Sequence, residues 1–270
     1  MIESESLDLL HAVQLDLLVK FDRICKEQNL VYFLDSGTAL GAVRHGGFIP
    51  WDDDVDVGMP RDDYERLIAI GMKGLPDNLF LQTTETDPAY VMPFAKIRLG
   101  NTVFPDKGKN FKSLKYKGIY IDVFPFDKVP ENSKQAVRRI KKSRFWYFVS
   151  VFSRREYPGK KIPQKVLSCL LQRLPDRIIT KFRRYYDSYC MKYNSVETNI
   201  MTCFCWRISQ RKTYLFKKGE LLPTKRVLFE GKELKIMNNP HAYLTKMFGD
   251  YHILPPEEDR KAHLVGPFQV

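Results

Sequence analysis

Gly37-Thr38-Ala39-Leu40-Gly41-Ala42-Val43-Arg44-His45-Gly46-Gly47-Phe48-Ile49-Pro50-Trp51 runs directly into Asp52-Asp53-Asp54-Val55-Asp56-Val57. Side chains alternate across an extended strand, so a strand after Trp51 projects Asp52, Asp54 and Asp56 to one side and Val55 and Val57 to the other. Carboxylates converging in this way repel one another and are costly to desolvate. A hard divalent cation removes that cost, and an all-oxygen ligand set suits Mg²⁺ or Mn²⁺ bridging to phosphates. The plain alternative is a solvated acidic turn; the apolar, β-branched face opposite the acids argues for a half-buried strand instead.

Working outward, Val31-Tyr32-Phe33-Leu34 reads as a buried strand closing at Asp35-Ser36-Gly37, where the chain must turn. Upstream, Leu10, Val13, Leu17, Leu18, Phe21, Ile24 and Cys25 recur at helical spacing, which predicts an amphipathic helix over 6–29. Residues 37–50 form a Gly-rich turn, a helix and a loop, and Pro60 with Asp62 and Asp63 starts a further helix at Arg61. Residues 79–83, 95–99, 101–104 and 119–124 have strand character. Beyond Pro130 the pattern changes to basic-aromatic helices reaching Tyr193, broken at Tyr157-Pro158-Gly159 and near Pro175. From Leu215 mixed strand and loop returns, with a turn at Leu228-Phe229-Glu230-Gly231 and a short helix starting at Ala242-Tyr243-Leu244. The expected class is α/β (α+β). The expected division is a catalytic core over 1–130, a basic helical subdomain over 131–214, and a segment over 215–270 packing back on the core.

A chain of 270 residues with 44% hydrophobic content can bury a full core, which excludes a disordered protein. No run approaches ~18 apolar residues, and Met1-Ile2-Glu3-Ser4-Glu5 lacks the pattern of a secretory signal, so a cytoplasmic body is expected. Cys25, Cys169, Cys190, Cys203 and Cys205 are odd in number and irregularly spaced, as reduced thiols are. Cys190, Cys203 and Cys205 match no common zinc spacing.

Alternation in Ile119-Tyr120-Ile121-Asp122-Val123-Phe124 leaves Asp122 as a lone acid between aromatics. A shared metal would compensate a charge so placed, and an Asp opening a turn before Pro125 is the structural alternative. Lys96 and Arg98, two apart on a predicted strand, face the same way and suit phosphate oxygens, while Arg44, His45 and Arg61 flank the acids in sequence. Carboxylates for metal and cations for phosphate together describe phosphoryl transfer.

The stretch 37–56 with Arg61-Asp62-Asp63-Tyr64 closely resembles the LicD family of phosphotransferases, related to fukutin and fukutin-related protein. Ala95-Lys96-Ile97-Arg98, Ile121-Asp122-Val123-Phe124-Pro125-Phe126-Asp127, Phe248-Gly249-Asp250-Tyr251 and Leu254-Pro255-Pro256 extend the resemblance. It implies a nucleotidyltransferase-like mixed sheet core with helices. It also implies transfer of a phospho-alcohol, often phosphocholine from CDP-choline, onto a sugar hydroxyl of a cell-surface glycan such as teichoic acid or lipopolysaccharide, with release of CMP. The residues that carry this over are Asp52, Asp54, Asp56 and Asp122 for Mg²⁺ or Mn²⁺, with Asp122 as base or ligand. Gly37, Thr38, Arg44, His45, Arg61, Lys96 and Arg98 are expected on the substrate phosphates. Rival readings are a nucleotidyltransferase moving a nucleoside monophosphate to a small acceptor, and a non-catalytic membrane-associated scaffold. The alcohol stays open between choline, ribitol, glycerol and ethanolamine; Trp51, Tyr90, Tyr120, Phe124 and Trp206 are candidates for an aromatic cage around a quaternary ammonium.

The net charge of +12 is concentrated: residues 138–184 carry fifteen Lys or Arg against Glu156 and Asp176, a local +13, which leaves the rest of the chain at −1. Those charges interleave with Phe145, Trp146, Phe148, Phe152, Val166, Leu170 and Ile178. The combination is that of an interfacial amphipathic surface, so peripheral contact with the inner, anionic membrane face and a lipid-linked acceptor is expected. An anionic acceptor polymer, or a helical subdomain with a solvated basic face, are the alternatives. No nucleic-acid-binding motif accompanies the charge, and nucleic acid is not an expected partner.

Overall fold

The first helix, α1 (Ser4–Glu27), buries Leu10, Leu17, Leu18, Phe21 and Ile24 along one stripe, the face its heptad-like spacing marks. A computed structural model describes residues 4–105, 113–153, 159, 161–205, 214–260, 262 and 268–270. Following α1 come β1 (Phe33–Leu34), α2 (Ser36–Arg44), β2 (Asp56–Pro60), α3 (Arg61–Gly71), β3 (Leu79–Gln82), β4 (Ala95–Leu99) and β5 (Tyr120–Val129). Then come α4 (Ser133–Phe152), α5 (Ile162–Leu171), α6 (Asp176–Met191), β6 (Ile200–Cys203), β7 (Phe216–Lys217), α7 (Lys218–Leu221), β8 (Lys225–Phe229), β9 (Lys232–Ile236) and α8 (Pro240–Phe248).

The strands form one mixed sheet in the order β3-β4-β5-β2-β1-β9-β8, with β6 on β5 and β7 on β6. This is the expected α+β, nucleotidyltransferase-like architecture. β2 and β5 run parallel at its centre, and β4 lies antiparallel to β5. β5 is long enough to serve two partners on one edge: its first half pairs with β4 and its second with β6. Thus Ile200–Cys203, inside the 131–214 segment, is a strand of the main sheet. Phe33 and Phe126 close over Gly58 at an edge-on 5.0 Å, where a Cβ would strike both rings.

Two predicted strands differ. The acidic strand begins only at Asp56, because the backbone carbonyls of Asp52 and Asp53 accept from His11 (2.7 Å) and Gln14 (2.9 Å) of α1 rather than from a strand. Residues 101–104 contribute one bridge, Val103 to Gln269, since Asn101 turns the chain at φ 59°. The predicted turn at 228–231 is a two-residue hairpin on Glu230 (φ 49°) and Gly231 (φ 71°), the signature of a type I′ turn. Its tip reaches the loop after α2: Glu230 donates its N–H to Gly46 O and accepts from Phe48 N, each at 2.9 Å.

The break at Tyr157-Pro158 lies outside the described residues, as does Trp206; Pro175 caps α6 as expected. Cys25, Cys190, Cys203 and Cys205 are buried free thiols and Cys169 is exposed. Among the described residues, no helix is long and apolar enough to cross a membrane.

Candidate active site

The site is built where β1 hands over to α2. Asp35 caps α2, its carboxylate accepting from Ser36 N (2.8 Å) and from the Tyr243 hydroxyl of α8. Ser36 takes φ 46°, which turns the chain into the helix. Gly37 follows because a Cβ there would lie 2.7 Å from Asp52 Oδ2, so only glycine lets that carboxylate approach the start of α2. Thr38 points the other way and accepts from Asp56 N through Oγ1 at 2.8 Å, tying α2 to the first residue of β2.

Asp52, Asp53 and Asp54 each offer a carboxylate oxygen within 4.8 Å of the others. Burial, then Asp54 and Asp53, push the Asp52 carboxyl up to about 8. Asp56 is held well above the usual carboxylate range by burial and by Asp54, Asp122, Asp35 and Asp52, in that order. All the acids expected from sequence therefore share one field. Asp52, Asp54, Asp56 and Asp122 are half-buried, while Asp53 and Asp35 are buried. An all-oxygen set whose members resist ionising together has the chemistry that a hard divalent cation satisfies, so the donor set fits Mg²⁺ or Mn²⁺.

Asp122 stands directly across from Asp56 on one side and from Lys96 on the other. Lys96 forms an ion pair with Asp122 and lies 3.3 Å above the Tyr120 ring centroid. Arg98 shares that face, 4.7 Å over the same ring, but is only 1% exposed; its Nε donates to Gln82 Oε1 and its Nη1 to Gly118 O, both at 2.6 Å. Tyr120 is thus covered by two cations already.

The remaining residues expected on phosphates are dispersed. Arg44 donates to Tyr251 O and to His45 Nε2, each at 3.0 Å, at the C-terminal end of α2. Desolvation, then the neighbouring Arg44, lower the His45 pKa, and the ring stands edge-on to Trp51 at 6.3 Å. Arg61 is brought to the far end of β5, where Nε and Nη2 grip both Asp127 oxygens at 2.8 and 2.7 Å. Burial alone would lower its pKa; the Asp127 carboxylate reverses this and keeps the guanidinium charged. Asp35 and Asp53 carry no period-2 signal, and His11 and Gln14 look like ordinary polar positions on a helix. Only the tertiary fold brings these four to the acid loop.

Fold and site together define a nucleotidyltransferase-type domain, and the model for the family described as LicD/FKTN/FKRP, nucleotidyltransferase domain, matches residues 29–158. The lipopolysaccharide cholinephosphotransferase LicD of Haemophilus influenzae is 31% identical over 260 residues, covering 93% of each chain. The chain belongs to the LicD family, and it is a transferase. The ribitol 5-phosphate transferase FKRP of mouse and of human matches over 32 residues at 56% identity, which is 12% of this chain and 6% of theirs.

Proposed function

We propose that this chain transfers phosphocholine from CDP-choline to a sugar hydroxyl of a lipid-linked surface glycan, such as lipopolysaccharide or teichoic acid, releasing CMP. The observation that carries this reading is the near full-length similarity to a lipopolysaccharide cholinephosphotransferase, set beside a half-buried carboxylate cluster. Asp52, Asp53, Asp54 and Asp56 would hold Mg²⁺ or Mn²⁺. The metal, when bound, supplies charge neutralisation to the donor pyrophosphate.

The chain's own residues do the rest. The N-terminal turn of α2, opened by Gly37, presents backbone N–H groups and the positive end of the helix dipole to phosphate. Asp122 accepts the proton of the attacking hydroxyl. Lys96, fixed between Asp122 and Tyr120, faces the negative charge that grows on departing CMP. Arg98 positions Lys96 through the shared Tyr120 ring, and Arg61 holds α3 to β5 rather than touching substrate.

The proposed membrane contact is α5 with its neighbours. Ile162, Val166 and Leu170 are 73%, 54% and 55% exposed at a four-residue spacing, among Lys161, Lys165 and Arg173. This is an apolar stripe with basic flanks, suited to an anionic leaflet.

A panel of CDP-choline, CDP-ethanolamine, CDP-ribitol and CDP-glycerol with deacylated glycan, assayed with Mg²⁺ or with EDTA, tests the reading. Metal-dependent CMP release preferring CDP-choline is expected. Preference for another donor replaces the alcohol, and pyrophosphate release from nucleoside triphosphates in place of CMP overturns the reaction.

A further inference from the structure

We propose that α1, through His11 and Gln14, sets the metal-holding geometry of the acid loop, which makes these two its positioning residues; their role rests on the metal assignment above. Both lie outside the stretch 29–158 that the family model matches. Spaced three apart, they share one face of α1 and act on consecutive peptides. His11 Nε2 lies 2.7 Å from Asp52 O, and Gln14 Nε2 donates to Asp53 O at 2.9 Å. A carbonyl can only accept, so the bond requires His11 to carry a proton on Nε2.

Packing alone does not account for Gln14. It is 1% exposed in the stripe that buries Leu10, Leu17, Leu18 and Phe21, and its Oε1 has no hydrogen-bond partner. Burying half of an amide unpaired is costly, and an apolar side chain would fill the same position without that cost. What Gln14 gains there is the bond to Asp53 O. His11 is fixed from its other side: its ring lies flat on Phe48, with centroids 4.1 Å apart and planes 3° from parallel, and Phe48 packs edge-on against Phe229 at 4.8 Å. The imidazole is therefore a stiff strut between α1 and the acid loop.

The carboxylates need such a hold. Asp52, Asp53 and Asp54 each bring an oxygen within 4.8 Å of the others, and like charges at that range push a loop apart unless its backbone is tied. The bonds from α1 tie it at residues 52 and 53, and Thr38 Oγ1, accepting from Asp56 N at 2.8 Å, ties its far end. Because both α1 bonds go to backbone carbonyls, they consume none of the carboxylate oxygens. Groups that orient metal ligands from behind in this way contribute about 10–100-fold to metal affinity.

The test is Mn²⁺ binding to the full chain without substrate, read by electron paramagnetic resonance of the free ion. His11→Phe keeps the stack on Phe48, Gln14→Met keeps the length of the side chain, and each removes the donor. The double variant is expected to bind Mn²⁺ about tenfold or more weakly than wild type, and to need correspondingly more metal for CMP release. Leu171→Ala, in the separate apolar cluster with Phe148 and Val149, controls for lost stability and is expected to leave Mn²⁺ affinity unchanged. Should the double variant not fold, Gln14→Met alone decides, with a loss of about threefold or more expected. Wild-type affinity in the folded variant, or an equal loss in Leu171→Ala, overturns the positioning role and leaves the metal assignment standing. No Mn²⁺ binding by wild type removes the metal assignment, and the role of α1 with it.

Discussion

Replacing Asp127 by Asn should damage folding far more than chemistry. Asp127 is fully buried, Arg61 is 8% exposed at its side chain, and two hydrogen bonds of 2.8 and 2.7 Å join them. Asn194 donates a third to Asp127 Oδ1 at 2.7 Å. Removing one partner of such a pair costs about 3–5 kcal/mol, because the other charge stays buried without compensation. Glu65, 3.1 Å from Arg61 Nη1 and 46% exposed, retains part of the pairing, which places the loss near the low end, about 3 kcal/mol. Against a typical stability of about 5–15 kcal/mol this is a large fraction, equivalent to a fall in Tm of roughly 6–12 °C. Urea unfolding followed by circular dichroism should show a lower midpoint at unchanged slope. Activity of the folded fraction at low temperature should persist. A variant within about 1 kcal/mol of wild type, combined with an Arg61→Lys variant that is stable but inactive, would refute the anchoring role and return Arg61 to the substrate.

Other consequences follow from separate features. Gly37→Ala places a methyl group 2.7 Å from Asp52 Oδ2, so CMP release should fall sharply while stability drops by only about 1–3 kcal/mol; normal activity would show that the approach of Asp52 to α2 is dispensable. Burial raises the pKa of the Cys25, Cys190 and Cys203 thiols, so they hold little thiolate until well above neutral pH and react only on unfolding. Exposed Cys169 should therefore be the first alkylated at pH 8, as peptide mapping would reveal; rapid native labelling of Cys25 would contradict the core placement. Ile162→Ser with Val166→Ser and Leu170→Ser should abolish flotation with anionic liposomes at a stability change within about 0.5 kcal/mol, and undiminished flotation would exclude α5 as the contact.

Much of this site is legible in the sequence because period-2 alternation is a local rule. Lys96, Arg98, Tyr120 and Asp122 share a face as spacing requires, and strand register then sets Asp122 between Asp56 and Lys96. The same rule misplaces Asp52 and Asp54, because alternation needs a strand ladder. Here the carbonyls of residues 52 and 53 bond to α1 instead, which holds these acids in a loop short of the ladder. By sequence alone Arg61 is equivalent to Lys96 as a cation near acids. Its partner, Asp127, lies 66 residues away and becomes visible only when α3 packs on β5. β6 was hidden for a similar reason: four residues inside a basic helical stretch carry too little pattern to mark a strand.

In the proposed reaction the half-buried carboxylates drive transfer of the alcohol phosphate. Its most direct test is CMP release from CDP-choline and glycan acceptor by wild type and by Asp56→Asn, with Mg²⁺ present and the fold of each checked by circular dichroism. Release by wild type and a loss of at least about 10²-fold in a folded variant are expected. Undiminished release by folded Asp56→Asn would contradict it.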